Sequence, residues 1–295
     1  NAIVGFLNIF NKLLDEEKPE ALCVTFDRKA PTFRHLAYEG YKATRKGMPE
    51  ELASQMPILK DVLRAMNIPM YEMDGWEADD LLGTISVVDT KADWDTVIVT
   101  GDKDSLQLIT ERTTVKLVST RMGRTTSKNM TPEAFREEYG FDPIHIIDLK
   151  ALMGDSSDNI PGVKGVGEKT AMALIQRYGS IDALYLAMPN PEMAVGTPAK
   201  PGVVKRLTEG ESDARMSYAL ATIHTDAPIP FAPEDNLRKA VDNDALYDLF
   251  IELEFNKLIG KYGLVPPQGE QLSLLDEKKT VEICTSEFVT EKARM

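Results

Sequence analysis

Two short apolar segments, each leading to an aspartate, constrain the fold more than any other feature of this sequence. Residues 21–26 read ALCVTF and are followed by Asp27, while residues 96–100 read TVIVT and lead through a glycine to Asp102. Continuous apolar runs of this length are typical of strands buried on both faces, as in a parallel sheet. Because open α/β folds bind ligands at the carboxyl ends of such strands, we expect acidic side chains to gather at one sheet edge.

Predicted helices alternate with these strands. Apolar residues at helical spacing predict a helix before residue 15 and others at about 50–66 and 77–88, with weaker strands near 70–73 and 115–118. After about residue 130 strand signals stop, and Thr131-Pro132 and Asp142-Pro143 are typical helix starts. Further helices are expected at 167–178, 211–223 and 244–254. The sequence thus predicts a parallel-sheet α/β core over 1–152, an all-helical region over 153–264 and a linker over 265–295.

Charge and cysteine content limit the class of protein. The net charge of −13 argues at first against nucleic acid. The charges are segregated, however, because residues 28–46 contain six lysines and arginines and one acid, so DNA binding stays open. No apolar run approaches the roughly 20 residues that span a bilayer, and no secretory signal is visible. Cys23 and Cys284 form no metal or disulfide pattern, so we expect a cytoplasmic protein.

Eight carboxylates form four short clusters along the predicted strand and helix ends. They are Asp27; Glu77, Asp79 and Asp80; Asp102 and Asp104; Asp155 and Asp158. Gathered in one crevice, they would repel each other strongly without cations. Oxygen ligands with no histidine or cysteine suit Mg²⁺ or Mn²⁺, two of which can hydrolyse a phosphodiester. Taken one at a time, the same acids are equally well explained as helix caps or turn residues.

Residues 159–171 read NIPGVKGVGEKTA and form a second distinctive segment. They do not match a P-loop, because Glu168 separates Gly167 from Lys169, nor a dinucleotide fingerprint, because position 170 is threonine. We expect a tight hairpin that opens a helix at about residue 168. Its backbone N–H groups, with Lys164 and Lys169, would hold a DNA phosphate. The alternative is that the glycines simply allow a sharp turn between helices.

Taken together, five motifs resemble the 5′ nucleases of bacterial DNA polymerase I, members of the flap endonuclease superfamily. They occur in the order FDRKAPTFRH, YEGYKATR, GWEADD, VTGDKD and MGDSSDNIPGVKGVGEKTA. The resemblance extends from residue 1 to about residue 264. It implies a structure-specific 5′ nuclease, acting as 5′-3′ exonuclease and flap endonuclease in primer removal and repair. Its substrates would be flapped double-stranded DNA and RNA primers, and the protein would be a monomer associated with the nucleoid.

The resemblance also implies roles for individual residues. Asp27, Glu77, Asp79 and Asp80 would serve one metal ion, and Asp102, Asp104, Asp155 and Asp158 a second, with some of them shared between the ions or supporting the direct ligands from behind. Lys42 and Arg45 would contact the scissile phosphate from a helical arch over the site, which Arg34, Tyr38 and Tyr41 would help to form while binding DNA. The glycine segment, with Gly162, Lys164, Gly165, Gly167 and Lys169, would be a helix–three-turn–helix module that grips the duplex and holds a potassium ion.

The sequence departs from the family at its beginning. The family's first strand, which carries a metal-binding aspartate, has no counterpart here, so we expect residues 1–295 alone to be weakly active or inactive, and less stable. From Thr280 onward the residues would begin a further domain. Within the linker, residues 271–275 (QLSLL) resemble a peptide that docks on the sliding clamp, although a chance match is an alternative. Competing interpretations are a stand-alone flap endonuclease, a PIN-type ribonuclease and a catalytically silent DNA-binding module.

Overall fold

The computed structural model describes residues 2–121, 124–188 and 201–267. The helices are, in chain order, α1 Ala2–Glu17, α2 Phe33–Ala37, α3 Glu50–Ala53, α4 Gln55–Ala65, α5 Ala78–Lys91, α6 Pro132–Tyr139, α7 Ile146–Met153, α8 Glu168–Tyr178, α9 Ile181–Ala187, α10 Pro201–Glu209, α11 Glu211–Ala221, α12 Asn243–Glu252 and α13 Asn256–Tyr262. The strands are β1 Val24–Thr25, β2 Met70–Tyr71, β3 Thr96–Thr100, β4 Thr113–Arg121 and β5 Arg124–Met130. Short 3₁₀ helices lie at Lys103–Leu108, Pro143–His145 and Pro233–Asn236.

The chain divides into two compact units. One is helical and contains residues 1–20, 49–69 and the described part of 238–295. Its core includes Leu7, Leu63 and Phe250, and α4 packs against both α1 and α12. The second unit contains residues 21–48 and 70–237, including every strand named above. Nowhere in the described residues is a helix both long and apolar enough to span a lipid bilayer.

The predicted α/β class is confirmed, although the strands of the second unit are not all parallel. β1 pairs in parallel with β2, and β3 pairs in parallel with β4, but β5 runs antiparallel to β4. β5 was not predicted because its sequence, RTTSKNM, is polar and mostly exposed, so it shows no apolar run. The predicted strand at 21–26 is reduced to Val24–Thr25, which the Phe26 N–H extends by donating to the Tyr71 carbonyl over 2.9 Å.

Both proline-marked helix starts are present in the second unit. α6 begins at Pro132, and the Thr131 hydroxyl accepts the Ala134 N–H at 3.3 Å, which satisfies one of the unpaired donors of the first turn. Asp142-Pro143 opens a 3₁₀ helix, and α7 follows from Ile146. α8 begins at Glu168, where the glycine segment predicted a helix.

The predicted boundary after residue 152 does not separate compact units. Ile98 and Val115 from the strands and Leu152 and Leu174 from the helices belong to one hydrophobic core and are at most 2% exposed. α7 packs against both α8 and α11. Because burying one such side chain contributes roughly 1.5–3 kcal/mol, neither part of this core is expected to be stable without the other.

Candidate active site

Six carboxylates from separate parts of the second unit line one cavity of about 70 Å³. They belong to Asp27, Glu77, Asp79, Asp102, Asp104 and Asp158. The cationic side chains of Arg34, Lys42 and Arg45 line the same cavity, so negative charge is in excess. Hereafter this is the carboxylate cavity. The acids after the two apolar strands therefore lie close together, but the predicted single sheet edge is wrong, because β1 and β3 belong to separate sheets.

Asp27 joins the end of β1 to the start of α5. Its Oδ1 accepts the N–H of Ala78, the first residue of that helix, at 2.7 Å. A carboxylate at this position satisfies an unpaired helix donor and interacts favourably with the positive end of the helix dipole. The strand end and the helix start are thereby held together at the edge of the cavity.

Glu77 is the N-cap of α5 and accepts hydrogen bonds from the segment that follows β1. Lys42 Nζ donates at 2.7 Å, the Tyr41 hydroxyl at 3.1 Å and the Arg34 guanidinium at 3.4 Å. The segment of residues 28–48, which includes the residues predicted to form the arch, contains the short helix α2 followed by turns. Glu77 is therefore one of the carboxylates that attach this segment to the cavity.

Asp158 binds the same segment from the other side of the cavity. Its carboxylate accepts from the Arg45 guanidinium and, at 3.3 Å, from the Tyr41 hydroxyl, while Lys42 Nζ lies 3.8 Å away. The Lys42 backbone has a φ of 54° and donates its N–H to the Asp158 carbonyl at 2.8 Å. Lys42 and Arg45 thus lie beside the acids, and their contact with a scissile phosphate stays a prediction.

Asp80 lies outside the carboxylate cavity and is fully buried. Arg34 donates to both of its oxygens, at 2.8 and 2.7 Å, and the N–H groups of Glu77 and His224 donate at 3.1 and 2.9 Å. Burial alone would raise the pKa of Asp80, but the Arg34 hydrogen bonds outweigh it and hold the pKa below its usual value. With four donors already bound, Asp80 is poorly placed to be the metal ligand that was predicted.

The predicted DNA contacts of Arg34 and Tyr41 do not agree with their positions. Both side chains are buried, at 3% exposure each. Besides Asp80, Arg34 donates to the carbonyls of Leu220 and Thr222, at 3.0 and 2.6 Å, so a phosphate could be bound only by breaking this network. Sequence reasoning misplaced them because a basic and aromatic segment shows no pattern that separates buried from exposed positions. Tyr38, which is half-buried, keeps its predicted role as a prediction.

The pKa of Asp79 shows that the carboxylate cavity carries uncompensated negative charge. Burial, together with the neighbouring charges of Asp102, Asp104, Asp27 and Glu77, raises its pKa to about 7. The Ser105 hydroxyl donates to it over a long 3.4 Å, whereas no arginine or lysine ion pair to Asp79 is present among the described residues. A carboxylate in this setting binds a proton or another cation more readily than one in water.

Lys150 is a site residue that the sequence analysis missed. This buried side chain of α7 donates to Asp104 and, at 2.6 Å, to Asp155, and it lines a second cavity with Asp102. Burial would raise the pKa of Asp155, but the hydrogen bonds from Lys150 and Ser157 lower it to about 2. For Asp104, burial and the charge of Asp102 outweigh Lys150, and the pKa is raised. A lysine inside the apolar helix sequence IIDLKALM was the available signal.

The donor set of the carboxylate cavity fits hard divalent cations, because the acids contribute oxygen ligands and no histidine or cysteine lines the cavity. Across the described residues, however, no three acidic, histidine or cysteine side chains have the geometry of an assembled metal site. Lys42, Arg45 and Lys150 instead hold several of the carboxylate oxygens. To bind these carboxylate oxygens, a metal ion would therefore have to displace the ammonium and guanidinium groups from them.

The glycine segment forms the predicted hairpin. Gly162 is buried with a φ of 60°, and a Cβ there would overlap the backbone of Gly154, so glycine is required. Its N–H already donates to the Ser217 hydroxyl at 3.0 Å, which corrects its predicted contact with DNA. Gly165, at φ 80°, and Gly167, the N-cap of α8, are exposed beside the equally exposed Lys164 and Lys169. Their binding to DNA stays a prediction.

Comparison with known proteins identifies the family. Residues 1–140 match the model of the 5′-3′ exonuclease N-terminal resolvase-like domain, and residues 141–244 match that of the 5′-3′ exonuclease C-terminal SAM fold. DNA polymerase I of Bacillus subtilis is 40% identical over 291 residues, which cover 98% of this chain and 32% of the relative. DNA polymerase I of Caldicellulosiruptor bescii is 40% identical over 264 residues, covering 90% and 30%. The chain thus spans about a third of the length of these relatives.

Solved structures show the same fold. T5 5′-exonuclease with bound zinc superposes with a TM-score of 0.60 at 23% identity, covering 74% of this chain and 80% of that one. The catalytic core of Rad2 in complex with a DNA substrate gives a TM-score of 0.57 at 19% identity, covering 90% and 86%. With two family models matched over residues 1–244 and the fold matched in structure, the chain belongs to the 5′-3′ exonuclease family and is related to bacterial DNA polymerase I.

Proposed function

We propose that this chain cuts DNA at 5′ flaps and 5′ ends by metal-dependent hydrolysis of phosphodiester bonds in the carboxylate cavity. The observation that carries the proposal is the gathering of six carboxylates with only partial compensation by cations. The family and the DNA-bound Rad2 and metal-bound T5 structures agree with this chemistry. Removal of RNA primers and repair of DNA are the processes we propose for it, with the chain acting as a monomer.

We propose that two Mg²⁺ or Mn²⁺ ions are held by Glu77, Asp79, Asp102, Asp104, Asp155 and Asp158, with Asp27 at the edge of the site. Bound divalent ions lower the pKa of water and stabilise the charge on the leaving oxygen. The chain's own part is to keep the acids in place, through the capping of α5 by Asp27 and the network of Asp80, and to bring cations to the phosphate. Magnesium is favoured over the zinc of the T5 structure because the donors are all oxygen.

Lys42 and Arg45 are the cations that we propose move to the phosphate. The Arg45 side chain is already 46% exposed to solvent, whereas the Lys42 side chain is 18% exposed. When the carboxylates take up divalent ions, the attraction that holds these two side chains is reduced. Each is then free to donate to the negatively charged scissile group, where Arg45 can make two parallel hydrogen bonds.

The glycine hairpin is the surface that we propose grips the duplex. Support comes from its exposed Lys164 and Lys169 and from the start of α8 beside them. Potassium bound by hairpin carbonyls is part of this proposal, and weaker duplex binding in sodium than in potassium is the expected sign of it. Docking on a sliding clamp through residues 271–275 is proposed from sequence alone, since these residues lie outside those that the structure describes.

A labelled 5′-flap duplex tests the proposal directly. With Mg²⁺ we expect cleavage near the flap junction, and we expect Asp155→Asn to reduce the rate by about 100-fold or more while duplex affinity is retained. Asp95→Asn is the matched control, because Asp95 is also an aspartate but is largely exposed and lines neither cavity of the site. The measurement is the ratio of rates between variants. Binding without metal-dependent cleavage would instead support a silent DNA-binding module.

A further inference from the structure

One peptide group of the glycine hairpin is held at both ends. The N–H of Val166 donates to the Val163 carbonyl at 2.9 Å. On the other side of the same peptide plane, the Gly165 carbonyl accepts from Arg206 Nη1 at 3.0 Å. Arg206 belongs to α10, more than forty residues along the chain. These two hydrogen bonds fix the orientation of the plane between residues 165 and 166.

The hairpin is anchored differently before and after Val163. The N–H groups of Gly162 and Val163 donate to the Ser217 hydroxyl and the Leu152 carbonyl, at 3.0 and 2.8 Å. Beyond that point, the N–H groups of Lys164, Gly165 and Gly167 have no acceptor among the residues that the structure describes. These groups lie in the peptide planes around the fixed one, so its orientation restricts the directions in which they can point.

Arg206 is placed firmly enough to serve as such an anchor. The next residue of α10, Leu207, is fully buried in the core of the second unit. At the end of α10, a Cβ on Gly210 would lie 2.9 Å from Cγ1 of Val163, so this helix end packs closely against the hairpin. The Arg206 side chain lies along Gly165, since a Cβ there would be 3.2 Å from Arg206 Cδ.

We infer that Arg206 is a positioning residue for duplex binding. By holding the Gly165 carbonyl, it turns the free N–H groups of Lys164, Gly165 and Gly167 toward a common phosphate beside Lys164 and Lys169. A bond from a guanidinium to a carbonyl is charge-assisted and stronger than a neutral one, which suits an exposed position open to water. The inference rests on the proposed binding of DNA by the hairpin.

The test is duplex affinity with Ca²⁺ in place of Mg²⁺, measured for Arg206→Ala, Arg206→Lys and Lys205→Ala. Lys205 is the matched control, because it is the adjacent cation of α10 and pairs with Glu209 at 3.7 Å instead of reaching the hairpin. We expect Arg206→Ala to weaken binding about tenfold, the effect of one charge-assisted hydrogen bond. Arg206→Lys should recover part of the loss, and Lys205→Ala should change affinity less than about twofold. Equal effects of the two alanine variants would overturn the inference.

Salt dependence separates positioning from direct contact. If Arg206 acts through the peptide plane, Arg206→Ala should weaken binding at every salt concentration with the slope of log affinity against log salt unchanged. A slope reduced by about 0.9 would mean that Arg206 itself neutralises a phosphate, and the positioning role would be overturned.

The double variant Lys164→Ala with Lys169→Ala distinguishes failure of this inference from failure of the proposed function. If that variant binds duplex normally, the hairpin does not bind DNA and the proposed binding surface is wrong. If it binds weakly while Arg206→Ala binds normally, only the role of Arg206 is lost. Thermal unfolding of Arg206→Ala within about 2 °C of the parent is expected, because its side chain is exposed.

Discussion

Asp79 and Asp80 are adjacent in the first turn of α5, yet their carboxylates lie in opposite electrostatic environments. Asp80 is fully buried and receives two hydrogen bonds from Arg34, which lower its pKa. Asp79 faces the carboxylate cavity, where burial and like charges raise its pKa to about 7. The fold neutralises the charge of Asp80 with the Arg34 guanidinium. The charge of Asp79 has no such partner within the described residues, so a proton or a bound cation has to neutralise it. We interpret the first environment as structural and the second as the site of chemistry.

The largest effect is expected on the free energy of unfolding when the ion pair between Asp80 and Arg34 is removed. Asp80→Asn removes the closer of the two carboxylates that pair with Arg34 and leaves the buried guanidinium with only the longer 3.4 Å contact to Glu77. The expected loss is about 3–5 kcal/mol in the free energy of unfolding, the usual result of leaving one member of a buried ion pair without its partner. Urea denaturation measures it. A loss below about 1 kcal/mol would show that the Arg34 network is not a structural tie.

Substitution of Asp79 should lower the rate of DNA cleavage without lowering the stability of the protein. Asp79→Asn removes one of several mutually repelling charges, so the metal-free protein should be as stable as the parent or more stable. Cleavage of a 5′-flap duplex should fall by about 100-fold or more, because one of the proposed ligands of the catalytic cations is lost. Gel-based single-turnover assays and urea denaturation of the same preparation check both parts. A fall in stability with an unchanged rate would reverse the assignment of the two acids.

A smaller effect is expected from pH. Because the pKa of Asp79 is raised in the folded protein, the folded state binds more protons than the unfolded state between about pH 4 and 7. The stability of metal-free protein should therefore fall as pH rises from 5 to 8, by about 1–2 kcal/mol. Asp155, whose pKa is lowered to about 2, acts in the opposite direction but in a separate window below about pH 4. Chemical denaturation in EDTA at each pH measures the change.

Two controls test whether Asp79 causes the pH effect: the Asp79→Asn variant and the addition of Mg²⁺ to the parent protein. Asp79→Asn should reduce the dependence between pH 5 and 8, since one of the two cavity carboxyls with a pKa raised into this range, Asp79 and Asp104, can no longer ionise. Addition of Mg²⁺ to the parent protein should do the same, because a bound cation replaces the proton. If both leave the slope unchanged, another group titrates in this range and Asp79 is not the source of the effect.

Sequence reasoning found the parts of the site that depend on local pattern. Asp27 and Asp102 follow apolar strands, and that placement was enough to predict that they meet. It did not find β5, whose residues are polar, because an exposed hairpin strand needs no apolar face. Nor did it find the buried contacts of Arg34, which depend on carbonyls of Leu220 and Thr222 that lie more than 180 residues away. Long-range pairing of charges leaves no local signal.

The two acids also show why clusters read from sequence are ambiguous. Glu77, Asp79 and Asp80 are spaced as one cluster, and the sequence assigned all three to a metal ion. The direction of each side chain from the first turn of α5 decides its role instead, because residues one position apart on a helix face different neighbours. Lys150 is the opposite case, a site residue outside any predicted cluster. Its helix has the sequence of a buried core helix, and only its contacts with Asp104 and Asp155 place it in the site.

Binding of Mn²⁺ to metal-free protein, followed by electron paramagnetic resonance of the free ion, tests the central claim most directly. If the carboxylate cavity is a site for divalent cations, the parent should bind two Mn²⁺ per chain at saturation, and Asp79→Asn should weaken or abolish at least one of these sites. The exposed control Asp95→Asn should bind as the parent does. Saturable binding that Asp79→Asn leaves unchanged, or no saturable binding at all, would contradict the account.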